Sequence, residues 1–146
     1  DVLYVRASEG DDFSVSQRNG REIAAFYELL GVTSCARLIA CDQLLSDAPV
    51  VSPTYVICMP ESEAFHLDGL PDVDRARIHR LPMGKCLRFR RQATRSQSVR
   101  RDAYDDMFAW LADHGYRLRA DVLLLPGFLN LDGQGSDVET LLAPIA

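Results

Sequence analysis

The side chains best suited to metal ligation or nucleophilic chemistry are Cys35, Cys41, Cys58 and Cys86 with His66, His79 and His114. Their spacing argues against both uses. There is no Cys-x-x-Cys pair and no His at zinc-ligand distance, so a metal would need ligands gathered from scattered positions. Reduced, partly buried thiols in a cytosolic compartment account for the cysteines more simply, and neither a metal nor another cofactor is expected. No nucleophile sits in a recognisable elbow. His114 falls where the last turn of a helix favours positive charge. Glu139 is a candidate acid, but it reads more readily as part of a solvated strand face.

Binding chemistry is better represented. Trp110, Tyr55, Tyr27, Phe26 and Phe128 are aromatic walls for a flat ligand, or else ordinary core. Arg88, Arg90, Arg91, Arg95, Arg100 and Arg101 crowd one short region. On an alternating strand Arg88 and Arg90 point away from Leu87 and Phe89, as a solvated face would. Sixteen basic against twenty-one acidic residues leave a net charge of -5. With no aromatic residues interleaved for base stacking, direct nucleic-acid contact is not expected. A contact to another domain or subunit suits the arginines better, which leaves room for a homodimer.

These residues need elements to position them. At 146 residues and 47% apolar content the chain fits a single domain, 1–146, with a real core. Apolar runs such as Val122 to Pro126 are too short to span a bilayer, no basic-then-apolar leader opens the chain, and no membrane partner is expected. Asp1 in place of Met reads as the start of a processed product or of a domain cut from a longer chain. Leu3 to Arg6 reads as a strand. Ser14 to Leu30 reads as a helix with Ile23, Phe26, Tyr27 and Leu30 on one face, ended by Gly31. Ala36 to Cys41 and Thr54 to Met59 read as strands, parted by the turn signal of Asp47 to Pro49. Leu87 to Arg91 opens a second series. A helix capped by Ser98 follows, with Val99, Ala103, Met107, Trp110 and Leu111 on one face and Gly115 as its stop. Tyr116 to Leu125 and Val138 to Ile145 are strands around a hairpin loop, Leu131 to Asp137.

The two series echo each other. Gly31 and Gly115 stand 84 residues apart, as do Pro60 and Pro144. At the same offset "LYVRA" falls on "LRFRR", Phe26 on Trp110, Tyr27 on Leu111 and Ile23 on Met107. Two duplicated β-α-β-β halves, about 1–62 and 84–146 with a connector at 63–83, are therefore expected. Together they would form an α+β domain with one antiparallel sheet, two main helices on one face and a central groove.

At this point the residues resemble a known family, the gyrase-inhibitor-like small-molecule-binding domain. That domain occurs alone and as the effector-binding domain of AraC-type and MerR-type regulators. The carriers are "LYVR", "RLIACDQLLSDAPVVSPTYVICMP", "LPMGKCLRF", "YDDMFAWLADHGYRLR", "FLN" and the terminal "API", in that order along nearly the whole chain. The resemblance implies a cytoplasmic bacterial protein that binds amphipathic or aromatic small molecules, multidrug-like compounds among them. It implies ligand contacts at Phe26, Tyr27, Tyr55, Ile57, Phe89, Trp110, Leu124, Phe128 and Asn130. In a regulator, occupancy would pass to an attached or partner DNA-binding domain. The alternatives are a stand-alone hydrolase of reactive small molecules and a binder of a macromolecular partner such as DNA gyrase.

One departure weighs on the chemistry. Many members of that family carry a Glu just before an aromatic residue and Leu-Asn, where a buried carboxylate meets cationic ligands or helps water attack strained rings. Here the run is "LLLPGFLN", with Pro126 in that place. Its absence removes the clearest attraction for an organic cation and disfavours an enzyme, so no catalytic residue is expected. Proline also deletes a ladder donor, which places this strand at an edge or at a bulge.

Overall fold

Three stretches of backbone decide how the buried arginines and their acid meet, and all are antiparallel strands whose alternate residues share a face. The computed structural model describes residues 1–10, 12–29, 33–93, 97, 99–128 and 137–146. Its strands are β1 (Val2–Arg6), β2 (Ser34–Ile39), β3 (Thr54–Pro60), β4 (His79–Leu81), β5 (Cys86–Ala93), β6 (Val122–Phe128) and β7 (Asp137–Pro144). The helices are α1 (Val15–Arg18), α2 (Gly20–Tyr27), α3 (Cys41–Leu45), α4 (Asp72–Arg75) and α5 (Asp105–Asp113). The chain divides into two compact units, Asp1–Ala36 with Thr54–Met83, and Arg37–Pro53 with Gly84–Ala146. The division falls within β2.

In the first unit β1 lies between β3 and β4, antiparallel to both, with Val2 opposite Pro60 and Leu81. Leu3 and Val5 pack with Phe26, Leu29, Ile57 and Met59 in a buried cluster, against which the half-buried Ile23 also rests. The helix expected over Ser14 to Leu30 is broken at Asn19, the C-cap of α1 and N-cap of α2. Asn19 and Gly20 are both poor helix formers, which is the physical reason for the break. Tyr27, expected on the apolar face, is 53% exposed, while Leu29 is fully buried instead. The helix ends at Tyr27, with Glu28 as its C-cap, short of the expected Leu30; Leu30 and Gly31 lie outside the described residues. The connector holds more order than its charge suggested: α4 and β4 lie within it, and β4 joins β1.

The second unit has the strand order β2-β6-β7-β5, all pairs antiparallel. Tyr104, Met107 and Leu111 pack against Ile39, Val122, Leu124, Leu141 and Ala143 in one buried cluster. α5 follows a 3-10 turn at Arg101–Tyr104, and Gly115, at φ +69°, supplies the expected left-handed stop. The Tyr116 N–H donates to the Leu111 carbonyl across that stop at 2.8 Å. The proposed cap Ser98 and the loop 131–136 lie outside the described residues. The strand expected from Tyr116 begins only at Val122; before it, Leu118 makes an isolated bridge to Ile145. Helix α3 was not expected. Its first N–H groups are met in part by Asp121, whose Oδ1 accepts from the Cys41 N–H at 2.9 Å. No helix among the described residues is long and apolar enough to cross a membrane.

Candidate binding site

On β7 burial alternates: Asp137, Glu139, Leu141 and Ala143 are buried, while Val138, Thr140 and Leu142 are partly exposed. Glu139 therefore shares the face of Leu141 that packs on Tyr104 and Met107. It is 4% exposed, which corrects the expectation of a solvated strand face. A carboxylate taken from water needs partners, because its desolvation costs several kcal/mol. Two arginines supply them. Arg91 stands directly opposite Glu139 on β5, and its Nε donates to Oε1 at 2.9 Å. Arg37, at the second-unit end of β2, donates from Nη2 to Oε2 at 2.5 Å. Each carboxylate oxygen thus accepts a charge-assisted bond.

The arginine cluster accordingly divides by strand parity. Arg88 and Arg90 are exposed, as expected, whereas the Arg91 side chain is only 9% exposed and that of Arg37 14%. The Arg91 guanidinium lies 4.5 Å from the ring centre of the fully buried Tyr104, and its Nη1 donates to the Ala103 carbonyl at 2.7 Å. Burial pushes the Tyr104 phenol up, against a lowering from the Arg91 charge. The 3-10 turn is held over this cluster by backbone bonds: the Arg101 N–H donates to the Pro49 carbonyl and the Val51 N–H to the Val99 carbonyl, each at 2.8 Å.

Beside this turn a cavity of about 330 Å³ is lined by Arg91 and the half-buried Phe89 and Ala103, with Gln92, Gln97 and Asp106 among its exposed members. Its size is at the lower end of small-molecule pockets, which run from roughly 300 to 1,000 Å³. Arg100, also at the rim, is ion-paired with Asp102. Arg91 has five N–H donors. Its Nη2, also buried, lies 2.8 Å from the same Glu139 Oε1 in the ion pair. Sequence reading missed this cluster, and the β5 parity that separates Arg91 from Arg88 and Arg90 was the available signal.

The expected ligand residues fall in several places. Phe26 and Ile57 are buried in the first unit's core. Tyr27 is exposed, and Tyr55 lies against Phe13 with the rings tilted and their centres 5.0 Å apart. In the second unit Leu124 is buried in the core, and Phe89 lines the cavity. Trp110 is 37% exposed, with His114 stacked on it at 4.0 Å and Tyr116 parallel at 6.1 Å. It does not share the buried face of Met107 and Leu111, as spacing had suggested. The Phe128 side chain and Asn130 lie outside the described residues. No group of three or more potential metal ligands occurs among the described residues.

Pro126 stands opposite Glu139 on β6, and the register shifts between Pro126 and Phe128. The expected bulge is therefore present, although β6 is flanked by β2 and β7 and is not an edge.

No protein-family model matches the chain. No curated protein matches it either. Among solved structures it is similar to the crystal structure of a hydrolase from Listeria innocua. The TM-score is 0.53 at 14% identity, over 99% of this chain and 86% of that one. At that identity the likeness is one of fold.

Proposed function

We propose that this chain is a small-molecule-binding domain of the gyrase-inhibitor-like kind, the effector-sensing part of a bacterial transcriptional regulator, with its ligand held in the second unit. The observation that carries the binding reading is the cavity beside β5, where a nine-tenths buried guanidinium lines a space of about 330 Å³ together with an aromatic side chain. Polar groups converging beside an aromatic side chain in a hollow of this size have the form of a ligand site. The regulatory part rests on the motif order from "LYVR" to "API". An effector that binds one conformation better than another shifts populations, and through them an attached DNA-binding domain.

The name of the Listeria neighbour gives some weight to a hydrolase. Glu139 is poorly placed for it, because both of its oxygens already accept from arginine. The test is thermal denaturation against a panel of cationic, neutral and anionic aromatic compounds. Saturable stabilisation by neutral or anionic members is expected. A flat response across the panel refutes the binding reading, and turnover of an activated ester abolished by Glu139→Gln favours the hydrolase.

A further inference from the structure

Beyond small-molecule binding, we infer that the free edge of β5 docks an extended acidic peptide, added antiparallel as one more strand of the sheet. β5 ends the strand order of the second unit, and it pairs with β7 over its whole length, from Cys86 opposite Pro144 to Ala93 opposite Asp137. One bond fixes which of its backbone groups stay free. The Ile145 N–H donates to the Lys85 carbonyl at 2.9 Å, so residue 85 turns its polar groups toward β7. That orientation alternates along an antiparallel ladder, so Leu87, Phe89 and Arg91 also face β7, while Arg88, Arg90 and Gln92 turn their N–H and C=O outward. Among the described residues no backbone group pairs with these three from the outer side, and all three residues are exposed. A row of unpaired backbone groups is a ready template for another strand.

Charge decides the kind of strand. Arg88 and Arg90 share one face, and neither forms an ion pair among the described residues. Their cross-strand neighbours on β7 are Leu142 and Thr140, and next to these on β6 stand Leu123 and Leu125. No acid in these rows balances the two guanidiniums. A second copy of β5 is a poor occupant, because a two-fold axis would set its arginines against Arg88 and Arg90, and like charges directly opposite are destabilising. Acids opposite the same two arginines are stabilising instead. On the other face the edge carries the half-buried Leu87 and Phe89, which rest on the second unit's core. The fitting partner therefore alternates acidic with apolar residues.

The test is fluorescence anisotropy with labelled peptides as long as β5, alternating glutamate with valine or lysine with valine. Wild type is expected to bind the glutamate peptide at least about tenfold more tightly than the lysine peptide, with the difference shrinking as salt is raised. Arg88→Glu combined with Arg90→Glu changes two exposed side chains without touching the β7 ladder, and is expected to reverse the preference. Backbone methylation separates strand addition from simple charge attraction. In antiparallel pairing the glutamates opposite Arg88 and Arg90 point their N–H groups at β5, and the valines point theirs at solvent. N-methylation of the glutamates is expected to weaken binding at least about tenfold, and N-methylation of the valines less than about threefold. Equal binding of the two peptides, no binding at about millimolar concentration, or indifference to N-methylated glutamate overturns the inference. So does a wild-type homodimer in sedimentation that Arg90→Pro converts to monomer: proline at 90 removes an outward N–H without breaking a bond to β7, and its effect would place a second copy on the edge.

Discussion

Replacing Glu139 by Gln keeps the shape of the side chain and removes the carboxylate that two buried arginines share. Arg37 and Arg91, with side chains 14% and 9% exposed, would then face each other across a neutral amide. Breaking a buried ion pair by deleting one partner typically costs about 3–5 kcal/mol, because a desolvated charge is left uncompensated. Two circumstances place this case near the lower limit. The amide oxygen can still accept one hydrogen bond, and the buried Asp137, two residues along the same face of β7, provides negative charge nearby. A loss of about 3 kcal/mol corresponds to a Tm lowered by roughly 6–12 °C in a chain of this size. Asp102→Asn, which breaks an exposed pair with Arg100, is the control, with an expected loss below about 1 kcal/mol. Calorimetric or circular-dichroism melting of both variants decides the matter. If Glu139→Gln melts within about 2 °C of wild type, the buried cluster is not coupled as described. The concerted replacement Arg37→Met, Glu139→Leu, Arg91→Met removes all three charges together, and its expected stability equals or exceeds that of wild type.

Other perturbations separate buried from exposed chemistry. Trp110→Ala should cost under about 1 kcal/mol because the indole lies on the surface of α5, whereas Met107→Ala should cost about 2–5 kcal/mol, both read from denaturant melts. Cys35 is exposed, while burial pushes the Cys58 thiol up to about 11. Iodoacetamide at neutral pH is therefore expected to label Cys35 in the folded protein and Cys58 only after unfolding, by mass spectrometry of the peptides. His79 stacks on Tyr4 at 5.1 Å, and burial together with the Arg6 charge holds its imidazole below the ordinary value of 6.5. The unfolded chain thus takes up this proton first as pH falls, so His79 contributes stability above pH 6.5 that is lost on acidification. His79→Phe, which keeps the stack, is expected to flatten the difference in stability between pH 7 and pH 5.5.

Strands were more legible in this sequence than the faces they present. Val2–Arg6, Thr54–Pro60 and Cys86–Ala93 are β-branched, aromatic or alternating, and lie where those patterns predict. Glu139 was misread because "VETLLA" offers two faces of similar apolarity: Val138 and Leu142 on one, Leu141 and Ala143 on the other. Choosing the first puts Glu139 in water; the packing of Tyr104 and Met107 against Leu141 chooses the second. Trp110 was misread for a related reason. At 100° per residue it sits roughly a quarter-turn from the middle of the stripe formed by Tyr104, Met107 and Leu111, close enough to be counted with them. The break at Asn19 was visible in the propensities of Asn and Gly, but the apolar spacing of Ile23 and Phe26 outweighed it in the reading.

Pro126 and Glu139 bear on one question from opposite strands. Proline in place of an acid argued that the chain lacks a carboxylate for cationic ligands. The register puts Glu139 directly across from it, so a buried carboxylate is present after all. What matters is how that charge is used. With Arg37 and Arg91 donating to its two oxygens, the negative charge is satisfied within the protein. A free carboxylate would ask its ligand for positive charge. One bound by two guanidiniums has its charge already matched and asks its ligand for none. The acid is therefore no substitute for the one missing at Pro126, and its presence strengthens the case against cationic ligands.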